Sequence, residues 1–322
     1  MITADRFGGP RRRGYAVVIV LVVAAVLSFA GYLAFGSSGS GSPSSVVRSY
    51  LRALARGDAQ AALSLGEAPD DRLLLNSQVL HRQQAVGPIS AISVIGTDSG
   101  SYGSVVHVRY RVGSSTVVDH FEVIPDGSGW KLAHTAVDIL ISGADNLHLP
   151  AVFGQPLGNR DEVYAFPGVV MFGSTDPEYA LTPDSVVFTN PDVATMASPK
   201  TVLSSDGTST ATSAVRTAML ACARTRSLAP PRCSQHAGRP HVTGLVANSL
   251  RWQAPTDYSG LSFRVDERTP TTVHVAGKLT WHLLYRAQPA HSKRTVPGSI
   301  AVSSQPGGTV GFDTTPPTYR AP

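Results

Sequence analysis

The chain has 322 residues, 42% of them hydrophobic and 15% charged, and a formal net charge of +5. That length suits one anchor plus two ordinary domains, and that balance buries a sizeable core, which excludes global disorder. The basic residues are scattered rather than gathered on a stripe, so nucleic acid is excluded as an expected partner. Only four of the 27 basic residues are lysines, Lys131, Lys200, Lys278 and Lys293, an arginine bias that points to a GC-rich bacterial genome.

The first element in chain order is apolar. From Tyr15 to Phe35, YAVVIVLVVAAVLSFAGYLAF, no charge interrupts 21 residues. At about 1.5 Å per residue a helix of that length crosses a hydrocarbon core of roughly 30 Å. Arg6, Arg11, Arg12 and Arg13 precede the run, and the next basic residue is Arg48. The positive-inside rule then keeps residues 1–14 in the cytoplasm and sends everything after Gly36 outside, as a single-pass protein of the cell membrane. A cleaved signal peptide is the competing reading, against which stand the length of the run and the lack of an A-x-A site after it. Residues 36–45, GSSGSGSPSS, form a flexible linker.

A first domain is expected over residues 46–142. Ser44 and Ser45 can cap a helix in which Val47, Tyr50, Leu51, Leu54 and Ala55 repeat at i, i+3 and i+4. Gly57 ends it and Asp58 caps the next, which explains the tripeptide Arg56-Gly57-Asp58 without an adhesion receptor. After a third helical stretch at Asp70–Leu80 the period changes to two. In VVHVRYRV, Val106, Val108, Tyr110 and Val112 share one face, and His107, Arg109 and Arg111 form a solvated face or a homodimer surface. TVVDHFEVI puts Val117, Asp119, Phe121 and Val123 inward, and after the turn PDGS the strand GWKLAHT does the same with Trp130, Leu132 and His134.

The run VVRSYLRALARGDAQAAL, followed by strands ending in GSGWKL, resembles the nuclear transport factor two-like family, the cone-shaped fold shared with ketosteroid isomerase and scytalone dehydratase. The resemblance covers under a third of the chain. It implies helices packed on a curved antiparallel sheet, and it says little about chemistry, because that fold serves isomerases, dehydratases and domains with no known reaction.

Register supplies the candidate site. With PDGS as a four-residue loop, Gly129 pairs with Ile124, Trp130 with Val123 and Leu132 with Phe121, so His134 lies opposite Asp119. An aspartate beside a histidine can orient a general base, and Tyr110 on the adjacent strand can donate to an oxyanion. The alternative is that Asp119 and His134 satisfy each other in a cavity while Tyr110 packs.

A second, β-rich domain is expected over residues 147–304, with one helix at Thr212–Thr225 whose face is Ala214, Val215, Ala218, Met219 and Cys222. Its FPG strand and Trp-bearing strand after a cysteine pair resemble the later domains of envelope-anchored bacterial proteins of the TcaA type. Residues 305–322 read as a flexible tail. Cys222 and Cys233, the only cysteines, are expected to form a disulfide outside the cell. The rival, a metal site with His236 and His241, lacks the close cysteine pair of a zinc knuckle.

The expected fold class is therefore α+β: an N-terminal transmembrane helix, a cone-shaped domain of helices and curved antiparallel sheet, and a second mostly β domain with one helix. Phosphate-loop, dinucleotide, nucleophile-elbow and zinc-protease fingerprints are absent, and no cofactor or metal is expected. The expected function is an extracytoplasmic envelope protein that binds a protein partner or a cell-wall component without catalysis. Its alternatives are an isomerase- or dehydratase-like enzyme using Asp119, His134 and Tyr110, and an accessory protein holding a small ligand.

Overall fold

The computed structural model describes residues 41–238, 244–246, 248–289 and 291–322. The repeat of apolar residues near the start forms helix α1 (Pro43–Ala55), in which Val47, Tyr50, Leu51 and Leu54 are fully buried. Its cap position is Ser42, not Ser44 or Ser45, because Pro43 occupies the first turn, where its missing N–H costs nothing. Gly57, at φ +74°, turns the chain, and the Asp58 carboxylate accepts the Ala61 amide at 3.0 Å to start α2 (Ala59–Leu63). The third helix begins later than its apolar residues suggest. The Asp71 side chain takes the Leu73 amide in a turn, and Asn76 accepts the Val79 amide at 3.0 Å to cap α3 (Ser77–Val86).

These helices pack on one antiparallel sheet of β1 (Ile89–Ser99), β2 (Ser104–Val112), β3 (Ser115–Asp126) and β4 (Gly129–Leu132), in that spatial order. Val106, Val108 and Tyr110 are buried as the alternation requires, and with Tyr50, Phe121 and Leu132 they make the first core.

The next strand leaves that sheet. β5 (Val137–Ile141) pairs antiparallel with β8 (Glu162–Ala165) and parallel with β12 (Thr195–Ala197). Beside this three-stranded sheet lie a four-stranded one, ordered β11 (Ser185–Phe188), β9 (Gly168–Ser174), β6 (Pro150–Val152), β7 (Gln155–Pro156), and a pair, β10 (Tyr179–Thr182) with β13 (Lys200–Leu203). The boundary expected at residue 142 thus moves to before Val137. Alternating apolar residues announce a strand but not which sheet it joins. Around Ile139, Val152, Leu157, Val163 and Phe172 a second core forms, and Leu74 and Val79 enter it from α3 and the turn before it. Helix α3 therefore serves two cores, since Leu80 faces the first, and Gln83 Nε2, itself buried, donates to the Phe166 carbonyl at 2.8 Å.

A third core occupies the C-terminal part. Helix α4 (Ser205–Ala223), capped by Ser204 accepting the Gly207 amide, buries Ala211, Val215, Met219 and Cys222. It lies against β14 (Arg251–Gln253), β17 (Leu279–Ala287) and β18 (Val296–Ser304), and against a sheet ordered β15 (Leu261–Val265), β16 (Thr272–Gly277), β19 (Thr309–Gly311), β20 (Thr318–Arg320). Trp281 is fully buried, edge-on to Trp252 at 5.9 Å between ring centroids, with its indole N–H donated to Ser304 Oγ at 3.0 Å. The segment expected as a flexible tail supplies β19 and β20, with Val310 fully buried, so its Gly and Pro residues are turns between strands.

The expected fold class is corrected accordingly. The described chain is α+β, mostly β, with four helices, and what was expected as one second domain contains two cores, the helix belonging to the later one. Among the described residues no helix is long and apolar enough to cross a membrane. The stretch Tyr15–Phe35 expected to supply one lies outside the described residues.

Cys222 and Cys233 form a disulfide with their Cα atoms 5.8 Å apart, pinning the segment after α4 to its last turn. A loop of this size is worth about 3 kcal/mol by chain-entropy reasoning. The double substitution Cys222→Ser/Cys233→Ser is expected to lower the unfolding free energy by about that much in urea titrations. Equal denaturation midpoints would mean that the third core holds this segment by packing alone.

Candidate functional site

The site resides where the first and second cores meet. Residues Thr189 to Asp192, between β11 and β12, lie across the inward side of the β2–β3 sheet and deliver polar groups to it. Asp192 is the centre. Its side chain is only 5% exposed, Oδ2 accepts the Glu122 amide at 2.8 Å, and Oδ1 faces His134 Nδ1 at 3.0 Å. Asn190 accepts the Asp192 amide at 2.8 Å and donates its own amide to Asp119 Oδ1 at 3.0 Å. Burial raises the Asp192 carboxyl above the usual range, a shift opposed by the bonds from the Glu122 amide and His134.

The three residues expected to act together are thus separated. Asp119 is held by Asn190 and by the His120 amide, with His120 Nδ1 at 3.6 Å. His134 bonds Asp192 instead and keeps 56% of its side chain exposed. Tyr110 is fully buried and donates to the Thr189 carbonyl at 3.3 Å. The reason is a register two residues away from the expected one: Gly129 pairs with Asp126, Trp130 with Pro125 and Leu132 with Val123. Gly127 takes φ +59°, which closes a two-residue hairpin turn where a four-residue loop was expected. A shift of two preserves faces but changes partners. The strand also stops at Leu132, so His134 lies beyond it.

Inside the sheet the inward phenols are bonded to backbone carbonyls. Tyr50, fully buried and edge-on to Phe121 at 5.9 Å, donates to the Thr135 carbonyl at 2.7 Å. Burial, with Tyr110 and Asp192 nearby, pushes its phenol well above the ordinary tyrosine value, and burial beside Asp119 does the same to Tyr110. Both phenols therefore stay protonated as hydrogen-bond donors to backbone. Contact of histidine with carboxylate is not diagnostic here either, for it recurs at His107–Asp98, His148–Asp176 and His274–Asp266.

Outside this filled interior a cleft of about 380 Å³ opens between the two units, walled by Glu67, Pro69, His134, Asp138, Tyr164 and Asp192. Sequence reasoning had no signal for Asp138, Tyr164 or Asp192, because their roles arise from pairing across units. Asp138 Oδ1 is buried and takes no hydrogen bond among the described residues. Burial first, and Glu162 second, raise its carboxyl above the usual range. Tyr164 donates to Glu162, a bond that together with burial pushes its phenol up to about 12.

Among the described residues no group of three or more His, Cys, Asp or Glu side chains is placed to hold a metal ion. Both cysteines of the rival metal site are spent in the disulfide, and His241 lies outside the described residues.

No family model matches the chain, and no curated protein matches it. Among solved structures it is similar, over 32% of its length, to a SEC-C motif containing protein from Rhodopseudomonas palustris, at 19% identity, 84% coverage of that chain and a TM-score of 0.26. A likeness this slight carries no argument about fold or chemistry.

Removing the Asp192 carboxylate leaves a backbone donor without its partner, a loss of about 1–3 kcal/mol. Asp192→Ala is expected to destabilise by that amount and to speed hydrogen exchange at the Glu122 amide, read by NMR. For Asp138 the sign is opposite. Its folded-state carboxyl holds the proton more tightly than the unfolded chain does, so its contribution to stability is present below about pH 4 and lost as pH rises through the raised value. Asp138→Asn is expected to raise the melting temperature by about 1–2 °C at neutral pH, a gain that closes toward pH 4.

Proposed function

We propose that the chain is a non-catalytic binding protein whose first unit, of the nuclear transport factor two-like kind, serves as a rigid platform for the sheets that follow. One observation carries this reading: the polar side chains of the first unit that could serve acid–base chemistry are each already bonded within the protein. Tyr50 and Tyr110 are given to backbone carbonyls, Asp119 to Asn190, and Asp192 to Glu122 and His134. A general base must reach a substrate proton, and a phenol acting on an oxyanion must be free to donate. Here the histidine and the aspartate proposed for that work belong to different pairs, and the phenol is already donated.

Covalent chemistry supports an extracytoplasmic compartment. A structural disulfide persists in an oxidising environment, and the charge-free stretch Tyr15–Phe35 behind four arginines suits an exported chain held at the extracytoplasmic face of the cell membrane. A protein partner or a cell-wall component is the ligand class that suits such an address. Room for binding lies between units: besides the cleft at Asp138, one of about 420 Å³ lies between β13 and β15, where Lys200 meets Glu267 at 3.6 Å.

Complementation in a strain lacking the chain tests the reading. Tyr110→Phe and His134→Gln, which keep the packing, are expected to restore the wild-type phenotype at equal protein abundance. Loss of function by either, with abundance unchanged on immunoblots, would reinstate the isomerase-like alternative.

A further inference from the structure

We propose that the outward face of the first unit's sheet, β1 to β3, is the interface of a symmetric homodimer in which the basic end of one face lies on the acidic end of the other. The proposal goes beyond the binding reading and does not depend on it. Strand register lays this face out in rows. Arg111 of β2 lies between Ser90 and Thr116, and Arg109 between Ser93 and Val118. His107 comes next, opposite Gly96 and His120, with Ile95 in the bulge beside it. Val105 follows, opposite Asp98 and Glu122. Successive rows are about 7 Å apart, because residues i and i+2 of a strand share a face. These side chains point away from the first core into solvent: Val118 is 60% and Ile95 47% exposed, and both arginines and Glu122 are exposed.

The order of charge selects the occupant. Arg109 and Arg111 hold one end of the face, Asp98 and Glu122 the other, about 14 to 20 Å along the strands. Asp98 meets His107 at 2.9 Å, and among the described residues neither arginine nor Glu122 has an ion-pair partner. Lys131, one row further on, is held by Glu67. A polycation is repelled at the first end and a polyanion at the second, so neither covers the face. A second copy, turned about a two-fold axis that lies across the strands between the Arg109 and His107 rows, presents the same order reversed. Arg111 then comes over the row of Asp98 and Glu122, Arg109 over the His107–Asp98 pair, and the exposed Val118 and Ile95 lie near the axis. An axis along the strands would instead set arginine on arginine. Three strands over four rows offer roughly 400 Å² of flat sheet per copy, about half of a standard interface, so the dimer is weak.

Sedimentation velocity of the full-length chain, in a nonionic detergent that keeps the apolar stretch Tyr15–Phe35 in solution, tests this across a wide dilution series at low salt. The wild type is expected to dimerise with a dissociation constant of about 1–100 μM. Two variants carry faces of one sign: Arg109→Glu/Arg111→Glu is acidic at both ends, and Asp98→Arg/Glu122→Arg is basic at both. Each alone, its fold verified by a thermal melt, is expected to associate at least about tenfold more weakly than the wild type, and an equimolar mixture to recover association as a heterodimer that added salt weakens. Val118→Gln leaves both charged ends in place, is expected to weaken the dimer too, and serves where a reversed pair fails to fold. A wild type that stays monomeric at about 200 μM overturns the proposal, because a dimer that weak falls outside the range given. So do variants that associate as tightly as the wild type, which place the contact elsewhere in the chain, and a mixture no more associated than its two parts.

Discussion

Removing a carboxylate from water is costly unless hydrogen bonds replace those it gives up, and Asp192, in the turn between β11 and β12, finds its replacements on the first unit. Its strand neighbours belong to the second core, yet the Glu122 amide and His134 that satisfy it belong to the first unit. Breaking such an arrangement on one side leaves a buried charge or a buried donor unmet, so the two units must stay together or both lose. Around this anchor the remaining contacts fall into order: Asn190 reaches Asp119, Tyr110 reaches the Thr189 carbonyl, and on the other side of the junction Gln83 of α3 binds the Phe166 carbonyl.

That junction decides what the first unit is available to do. In a cone-shaped sheet with an open mouth, inward tyrosines and an aspartate are the materials of acid–base chemistry. Here the chain's own Thr189–Asp192 segment bonds to the inward residues of the sheet, and Tyr50, Tyr110 and Phe121 fill its interior, all fully buried. Hydrogen bonds to backbone carbonyls fix both phenols, and their raised proton affinity keeps them donors. The same residue types are bonded here to partners that come from far along the chain.

The local half of this structure was legible. A period of 3.6 marked α1 through Tyr50, Leu51 and Leu54, and a period of two marked β2 through Val106, Val108 and Tyr110, because burial of one face repeats with the geometry of the element. The cysteine pair was legible because only two cysteines exist. What the sequence concealed was relational. A hairpin turn of two residues at Gly127 keeps every inward residue inward while replacing each cross-strand neighbour, so the pattern gave the faces of β3 and β4 correctly and the Asp119–His134 pairing wrongly. Asp192, 58 positions beyond His134, had no local signature at all. Nor did Val137 to Ile141, whose alternation fits either sheet, or the segment after Gln305, whose glycines and prolines hid two short strands.

A last contrast concerns how this chain treats its acids. Among the described residues some carboxylates meet a cationic group within 4 Å, Glu67 with Lys131, Asp71 with Arg160, Asp98 with His107, Asp176 with His148 and Asp266 with His274, and others, Asp126, Asp145, Asp161 and Asp184 among them, meet none. Asp138 and Glu162 share one sheet face without a cation, each disfavouring ionisation of Asp138 through burial or repulsion, beside the exposed Leu140 and Met196. Natural proteins keep a locally unfavourable arrangement where something other than folding uses it.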